Sequence, residues 1–275
     1  MYDERPDLFD DADRSDWTDW HWQQRNRLRT AEDFAAVVDL TDDERRALEG
    51  ADGDALSAAA TPYYASLMDP ADPDCPVRRQ AIPLPDEAEV QPWEKTDPLA
   101  EDSHMPVPGV THRYPDRVLF YVTHNCPVYC RHCTRKRKVS DPQTAASREQ
   151  IRRGLDYIRE TEQVRDVLLS GGDPLTLSDE RLGEILGELD RVDHLDVVRL
   201  GTRNPVTLPH RVTDDLCEVL SQFRPLYLNT HFNHPRELTE RAVRALRDLA
   251  DAGCVLGNQM VLLDGINDTP ETVLD

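Results

Sequence analysis

Short apolar runs alternate with amphipathic stretches through the second half of the chain. Each run has the length of a buried strand, and the stretches between runs repeat their apolar positions at helical spacing. The predicted strands occupy 118–123, 167–170, 197–201, 226–230 and 255–263. The predicted helices occupy 146–161, 178–190, 212–223 and 239–252, with a further helix beginning near Thr269.

This alternation predicts the fold class. Strands that alternate with helices pair in parallel through right-handed crossovers. Five strands are too few to close a barrel of eight, and a parallel sheet needs cover on both faces. We therefore predict an α/β fold in which residues 110–275 form a partial, open (β/α) barrel.

The first part of the chain has a different pattern. Residues 1–68 are polar and helical in character, with capping-box signals at Thr30 and Thr41. Residues 69–109 hold nine of the 20 prolines and few periodic apolar positions. Because proline disrupts regular hydrogen-bond ladders, we predict a helical N-terminal region followed by an extended connector.

Each chemically distinctive motif follows one predicted strand or, in the fifth case, lies within it. Ligands of parallel α/β folds sit at the carboxyl ends of the strands, so these motifs are expected to share one edge of the sheet. In chain order they are the cysteine loop 126–133, the glycine turn 170–174, residues 202–205, residues 229–234 and Gln259.

The cysteine loop is the most specific of these motifs. Cys126, Cys130 and Cys133 have the spacing C-x3-C-x2-C, with no fourth cysteine nearby. Thiolates hold cubane iron–sulfur clusters, normally through four bonds, so three ligands would leave one iron open to a small molecule. The alternative is zinc, with His124 or His132 as the fourth ligand. The glycine turn after the next strand favours the cluster.

The glycine turn contains Ser170, Gly171, Gly172 and Asp173. Two residues without a Cβ allow a ligand to approach the backbone closely, and the carboxylate of Asp173 can accept from an ammonium group. The competing interpretation is a tight strand-to-helix turn without a ligand, since glycine marks such turns routinely.

Basic residues flank the first predicted strand and the cysteine loop. Arg113 and Arg117, with Tyr114 between them, stand just before that strand and match the geometry of a phosphate clamp. The competing interpretation is that these arginines form solvated salt bridges. The basic run 135–138, which begins with Arg135, can attract an acidic substrate group or can be a solvated turn.

Composition narrows the function classes. The chain has 275 residues and a formal net charge of −21, which argues against a nucleic-acid partner. Only three of its 32 basic residues are lysines, a pattern that we interpret as adaptation to a high-salt cytoplasm. The six cysteines do not form a disulfide pattern, and neither a signal peptide nor a membrane span is predicted. We therefore expect a cytoplasmic protein.

Together these motifs resemble the radical S-adenosylmethionine superfamily and, within it, the lysine 2,3-aminomutase family. The resemblance extends over almost the whole chain and is not confined to the cysteines. It includes TPYY at 61–64, PVRRQAIP at 76–83, HRYPDRV at 112–118, LLSGGD at 168–173, LNTHFNHP at 228–235 and LGNQ at 256–259.

The resemblance implies a role for each candidate residue. Cys126, Cys130 and Cys133 would hold a [4Fe–4S] cluster, and Arg135 would pair with the substrate carboxylate. The residues implied for S-adenosylmethionine are Ser170, Gly171, Gly172, Asp173, His231 and Gln259. The residues implied for pyridoxal 5′-phosphate are Arg113, Tyr114 and Arg117.

The chemistry implied is migration of the amino group of L-lysine from C2 to C3, which gives L-β-lysine. The partners implied are an electron donor such as flavodoxin or ferredoxin and further copies of the chain. One departure from the family is serious: the lysine that binds pyridoxal phosphate in the family has no counterpart here, since Lys95, Lys136 and Lys138 lie elsewhere. We therefore expect a chain truncated at its C-terminal end.

Three alternatives remain at this stage. The amino acid can be glutamate or a protein-bound lysine in place of free lysine, because the family's residues for the substrate side chain lie beyond this sequence. From another class, the chain can be a non-catalytic remnant that still binds a cluster. The intact cysteine and glycine motifs favour catalysis, whereas the missing lysine favours its loss.

Overall fold

A computed structural model describes residues 4–9, 12–50, 57–89, 91–139, 146–223 and 225–274. Six strands form one sheet in sequential order, and within the described residues β1 and β6 are its edges. The strands are β1 (Val110–Tyr114), β2 (Arg117–Thr123), β3 (Asp166–Gly171), β4 (Val197–Gly201), β5 (Leu226–Thr230) and β6 (Cys254–Asn258).

The five predicted strands are present as β2 to β6, and they pair in parallel. The sheet is open, which confirms the partial (β/α) barrel. Two details differ from the prediction. An additional strand, β1, pairs antiparallel with β2, and the fifth strand ends at Asn258 instead of continuing to residue 263. Gln259 therefore lies one residue beyond the strand.

Eleven α-helices lie within the described residues. Helices α1 to α5 belong to the N-terminal region, and α6, α7, α9 and α10 are the crossovers between parallel strands. The helices are α1 (Arg14–Thr18), α2 (Trp20–Arg25), α3 (Ala31–Ala35), α4 (Asp42–Glu49), α5 (Pro62–Ser66), α6 (Arg148–Glu160), α7 (Asp179–Asp190), α8 (Asn204–Thr207), α9 (Asp214–Ser221), α10 (Glu240–Asp251) and α11 (Pro270–Leu274).

The main core lies between the sheet and its crossover helices. Val118 and Phe120 of β2 are buried in it, because alternate residues of a strand point to the same face. Leu119, between them, lines a cavity on the other face. Gly154 of α6 packs on the ring of Phe120, where a Cβ would come within 2.3 Å of the ring. One face of the sheet is thus closed by helices and the other is available for ligands.

The N-terminal region packs against the loops at the carboxyl edge of the sheet. Its apolar core includes Phe34 and Tyr63, and it takes in Val128, Val206 and Phe232 from those loops. The capping boxes predicted at the starts of α3 and α4 are both formed. This packing places the helical region directly behind the cysteine loop.

The connector, residues 69–109, contains only 3-10 turns among its described residues. It is nevertheless anchored, because the fully buried guanidinium of Arg78 donates to both carboxylate oxygens of Glu44 at 2.7 and 2.5 Å. Among all described residues, no helix is long and apolar enough to cross a membrane.

Candidate functional site

The three cysteines lie on the loop that leaves the carboxyl end of β2. Cys133 donates its backbone N–H to the carbonyl of Cys130 at 3.0 Å, which closes a tight turn around the last two thiols. All three cysteines are half-buried, and Cys126 and Cys133 border an apolar patch made by Ala59, Tyr129 and Val139.

The glycine turn packs directly on the start of the cysteine loop. Gly171 has φ +106°, and a Cβ on it would lie 2.6 Å from the carbonyl oxygen of Thr123. A Cβ on Gly172 would lie 2.4 Å from the carbonyl oxygen of Asn125. The backbone N–H of Gly172 donates to Thr123 at 2.7 Å, and that of Asp173 donates to Asn125 at 2.8 Å. The missing Cβ atoms therefore bring two chain segments together, beside any role toward a ligand.

The carboxylate of Asp173 is buried and fully engaged by the protein. It accepts from the hydroxyl of Thr202 and the backbone N–H of Arg203, both at 2.7 Å, and from the backbone N–H of Leu175 at 3.1 Å. Burial raises the pKa of Asp173, while the hydrogen bonds from Thr202 and Arg203 oppose that rise. The turn after β3 is thereby tied to the loop after β4.

Arg203 reaches from the loop after β4 to the cysteines. Its Nη1 donates to Sγ of Cys130 at 2.9 Å, and its Nη2 donates to Glu237 Oε1 at 2.7 Å and to Gln80 Oε1 at 2.5 Å. The hydroxyl of Tyr64 also donates to Glu237 Oε1, at 2.8 Å. We call Arg203, Glu237, Gln80 and Tyr64 the Arg203 network.

The surroundings of two of the three thiols favour their protonated form. Burial raises the pKa of Cys126 well above its usual value, and nearby Asp173 and the other cysteines raise it further. Burial raises the pKa of Cys133 to about 11, with Cys130 as the next cause. These thiols would release protons on binding a metal, and Arg203 supplies a compensating positive charge.

The donor geometry also bears on the kind of metal group. Among the residues that the structure describes, no three His, Cys, Asp or Glu side chains converge on one point as a single ion requires. A cubane spreads its thiolates over separate irons, so its ligands need not converge on one point. The three thiols on one loop, with an apolar border and a guanidinium donor, fit such a cluster.

Residues far away in sequence enclose the cysteine loop. Arg27 of the N-terminal region donates to the carbonyl oxygen of Cys126, and its guanidinium lies 5.7 Å from the ring centre of Tyr129. Arg131 within the loop forms a salt bridge of 2.6 Å with Glu87 of the connector. The loop is therefore held from both sides and does not depend on its own sequence alone.

His231 and Gln259 follow the ends of β5 and β6, at the same edge as the cysteines. Burial lowers the pKa of His231, and the positive charges of Arg203 and Arg135 lower it further. The backbone carbonyl of His231 accepts from Nε of Arg203 at 3.3 Å. Gln259 is exposed, and its backbone N–H donates to Thr230 at 2.8 Å.

The arginines predicted to clamp a phosphate lie in a different place. Arg113 and Tyr114 are on β1 instead of preceding the first strand, and Arg117 is the first residue of β2. They border a cavity of about 250 Å³ on the sheet face opposite the helices, towards the amino ends of the parallel strands. The cavity is lined by Leu99, Glu101, Thr111, Arg113, Tyr114, Arg117, Val118, Leu119, Arg135, Leu168 and Arg199.

Arg135 connects this cavity, which we call the arginine cavity, with the cysteine loop that carries it. Its Nε donates to Glu101 Oε1 at 3.0 Å, and Tyr121 donates its hydroxyl to the other oxygen of Glu101 at 2.5 Å. Burial is the largest influence on the pKa of Arg135 and lowers it, but the charge of Glu101, together with the contacts to Tyr121, outweighs burial and raises the pKa. Arg135 is therefore a fixed cation between the two halves of the candidate site.

Of the remaining cations of the cavity, Arg113 and Arg117 are exposed and held more loosely, whereas Arg199 is fixed by a carboxylate. Arg113 donates to the carbonyl of Leu99 at 2.8 Å, and Arg117 pairs with its neighbour Asp116 at 3.1 Å. Tyr114 is 57% exposed. Arg199, on β4, was not predicted from the sequence, and it donates to both oxygens of Asp166 at 2.9 and 2.7 Å.

The predicted site residues thus fall into two groups that Arg135 connects. The cysteines, the glycine turn, His231 and Gln259 share the carboxyl edge, and Arg113, Tyr114 and Arg117 share the arginine cavity. The Arg203 network escaped prediction because its members come from four separated segments. The one signal for it was the position of Arg203 in the motif that follows the fourth strand of the sheet.

Comparison with known proteins assigns the chain to the superfamily that its sequence motifs resemble. Residues 120–275 match the family model of the radical SAM superfamily. The chain is 50% identical over 268 residues to the L-lysine 2,3-aminomutase of Clostridium subterminale, an alignment that covers 98% of this chain and 64% of that protein.

Two further relatives are similar along nearly the same length. The glutamate 2,3-aminomutase of Clostridioides difficile is 44% identical over 92% of this chain and 59% of its own length. A putative L-lysine 2,3-aminomutase of Aquifex aeolicus is 42% identical over 97% of this chain and 72% of its own length. The chain thus spans about three fifths to three quarters of these relatives. It belongs to the lysine 2,3-aminomutase family of the radical SAM superfamily.

Proposed function

We propose that this chain binds an iron–sulfur cluster and S-adenosylmethionine at the carboxyl edge of its sheet, as part of an enzyme that moves the amino group of L-lysine from C2 to C3. One observation carries the proposal: the loop that carries three thiols packs, through its first residues, directly against the glycine turn that ends the next strand. The similarity to lysine 2,3-aminomutases over 98% of the chain supports the reaction class.

In this proposal the thiols of Cys126, Cys130 and Cys133 hold a [4Fe–4S] cluster. When bound, the cluster supplies the electron that cleaves the sulfonium, and pyridoxal phosphate supplies the ring on which the amino group migrates. The protein's task is to hold both groups in place and to exclude water between them. The enclosure of the loop by Arg27 and by the pair of Arg131 and Glu87 supports that task.

The residues at the same edge are proposed to position S-adenosylmethionine. Ser170 and Gly171 end β3 beside the cysteine loop, and backbone groups there can bind the amino and carboxylate groups of the cosubstrate. His231 and Gln259 follow the next strands along the edge. Gly172 and Asp173 fix the shape of this surface, because their hydrogen bonds go to the cysteine loop and to the loop after β4.

The arginine cavity is proposed to hold pyridoxal phosphate. Arg113 and Arg117 offer two guanidinium groups to the phosphate, and Tyr114 lies beside them with its ring exposed. Arg135 is placed between this cavity and the cysteines, where it can pair with the carboxylate of the amino-acid substrate. To do so it must share or exchange its bond to Glu101.

Glutamate is the second candidate substrate. The chain is 44% identical to a glutamate 2,3-aminomutase, and the arginine cavity presents Arg117, Arg135 and Arg199 to an acidic side chain. Each of these cations already has a carboxylate partner, namely Asp116, Glu101 and Asp166. That neutralisation, with the higher identity to the L-lysine 2,3-aminomutase of Clostridium subterminale, favours lysine.

Anaerobic reconstitution tests the proposal. We expect the protein to bind iron and sulfide in near-equal amounts, to develop broad visible absorption that dithionite bleaches, and to release methionine from S-adenosylmethionine when reduced. Incubation with pyridoxal phosphate and either lysine or glutamate, followed by chromatography, then identifies the β-amino acid formed. Retention of zinc without iron would overturn the proposal.

A further inference from the structure

The guanidinium of Arg203 makes a direct polar contact with a candidate cluster ligand. It lies 2.9 Å from Sγ of Cys130 and comes from a different strand loop, 73 residues away in sequence. A guanidinium is always charged and donates in fixed directions. A sulfur that accepts such a bond is therefore exposed both to a hydrogen-bond donor and to a permanent positive charge.

The contact is built into the surrounding packing. Nε of Arg203 donates to the carbonyl of His231 at 3.3 Å, and Nη2 donates to Glu237 and Gln80. Its guanidinium carbon lies 5.4 Å from the ring centre of Tyr64. With Nε and Nη2 occupied on the far side, the remaining Nη1 is directed at the thiol and cannot turn away without breaking the other bonds.

The far end of the contact is equally constrained. Glu237 is fully buried, and in addition to Arg203 it accepts from the hydroxyl of Tyr64 at 2.8 Å and from the backbone N–H of Asn233 at 2.7 Å. These donors hold the carboxylate in the position that orients Arg203. A charge pair alone would not need residues from several segments. Here those residues together direct one N–H of Arg203 at Sγ of Cys130.

We propose that Arg203 tunes the cluster held by Cys130 and makes it easier to reduce. The inference rests on the proposed function, because it requires that a cluster is bound. Reduction adds one electron, taken from an external donor such as dithionite, and the reduced cluster is more negative by one charge. Hydrogen bonds to cluster sulfurs and nearby positive charge stabilise that state, while Arg203 itself neither gains nor loses a proton. It is a positioning and electrostatic residue.

A redox titration followed by electron paramagnetic resonance tests this. Two variants of the reconstituted protein are compared with wild type, R203M and the double variant R203M/E237Q. The double variant loses the bond to sulfur without leaving a buried carboxylate unpaired, which protects its fold. In both we expect the ratio of reduced to oxidised cluster, at a fixed potential near the midpoint, to fall about tenfold, which for one electron corresponds to a midpoint about 59 mV lower.

The matched control is R211M. Arg211 is buried even more deeply than Arg203, but it donates to the carbonyls of Leu175 and Leu177 and to Asp179. We expect the midpoint potential of R211M to equal that of the wild type, because loss of a buried arginine that does not contact a cluster ligand should leave the potential unchanged. A midpoint in R203M/E237Q that matches wild type, or an equal shift in R211M, would overturn the inference.

Two further experimental outcomes have their own consequences for the inference. If neither Arg203 variant folds, wild-type protein containing arginine labelled with ¹⁵N in its guanidinium is reduced and studied by pulsed electron paramagnetic resonance. A ¹⁵N coupling to the cluster supports the inference and its absence overturns it. If wild-type protein binds no cluster, both the proposed function and this inference are wrong. If the cluster binds but its midpoint is the same in the Arg203 variants as in wild type, only the role of Arg203 is wrong.

Discussion

The carboxyl edge with its cysteines and the arginine cavity are constructed in opposite ways. At the edge, the polar groups are buried and their hydrogen bonds are made within the protein, as in the Arg203 network. In the cavity, Tyr114 is largely exposed and Arg117 pairs with its exposed sequence neighbour Asp116. The Arg203 network is fixed before any ligand arrives, whereas the exposed side of the cavity, with Arg113, Tyr114 and Arg117, can rearrange around one.

This difference follows from what each region is proposed to bind. A cluster is held by covalent bonds at fixed spacing, so its loop gains from rigid support. An organic phosphate is held by ion pairs that tolerate small shifts, and exposed arginines can exchange a weak surface partner for a stronger one. Substitutions at the edge should therefore be costly, while those in the cavity should be mild and specific to the ligand.

The largest effect is expected from C130S, the replacement of the thiol that accepts from Arg203. Serine is a poor iron ligand, so the variant should lose nearly all of its bound iron and its visible absorption after reconstitution. The matched control is C217S, which changes a thiol on α9, away from the loop. Iron and sulfide analysis measures both, and full iron retention in C130S would refute the assignment of the cluster ligands.

The next effect concerns stability at the same edge. E237Q keeps the volume of the side chain but leaves the buried Arg203 without its charge partner, and we expect the free energy of unfolding to fall by about 3–5 kcal/mol. Urea unfolding of metal-free protein measures it. E149Q, on the exposed surface of α6, is the control and should change stability little; equal losses in the two variants would contradict the rigid edge.

His210, in the turn that follows α8, tests the packing behind this edge. It lies between the rings of Trp17 and Tyr63, and burial, helped by the charge of Arg241, lowers its pKa to about 3. Below an unfolded pKa of about 6.5 the unfolded state binds the additional proton, so acid destabilises the fold by up to about 1.4 kcal/mol per pH unit.

The variant H210F should remove this part of the acid sensitivity. We expect the difference in unfolding free energy between pH 7 and pH 4.5 to be smaller in H210F than in wild type, by about 2–3 kcal/mol. Urea unfolding at the two pH values measures the difference. An identical pH slope in the two proteins would mean that His210 can become protonated without leaving its site.

The smallest effect is expected in the arginine cavity. R117Q removes one phosphate donor but little packing, so the affinity for pyridoxal phosphate should fall about tenfold, or about 1.4 kcal/mol. Pyridoxal, which lacks the phosphate, should bind equally to both proteins. R191Q, at the end of α7, is the control, and calorimetry measures the affinities. An equal loss for pyridoxal would show that Arg117 supports the cavity instead of binding phosphate.

The parallel part of the fold could be predicted because its signals are local. The parallel strands are short, mostly apolar runs in the sequence, and the predicted limits of β4 and β5 agree with the structure. β1 was not predicted because its residues Thr111, His112 and Arg113 are polar and do not form an apolar run. It is a strand because it pairs with β2, which its own sequence does not reveal. The fifth strand was predicted to be too long because its apolar run continues into the loop that follows Asn258.

The candidate site could be predicted only as far as single segments reveal it. Cys126, Cys130 and Cys133 form a recognisable spacing, whereas the bond from Arg203 to Cys130 depends on two loops meeting in space. The division between the carboxyl edge and the arginine cavity was also invisible, since β1 supplies Arg113 and Tyr114. Their assignment to pyridoxal phosphate, like the assignment of the edge residues to S-adenosylmethionine, stays a prediction.

The contact between Gly172 and the cysteine loop limits how this part of the protein can be transferred or redesigned. A Cβ would fall 2.4 Å from the carbonyl oxygen of Asn125, so the two segments interlock with no room for a side chain. A transplanted loop would therefore not keep its shape on a host sheet unless the end of β3 moved with it. The smallest portable unit comprises both strand ends, and their sequences are constrained to change together.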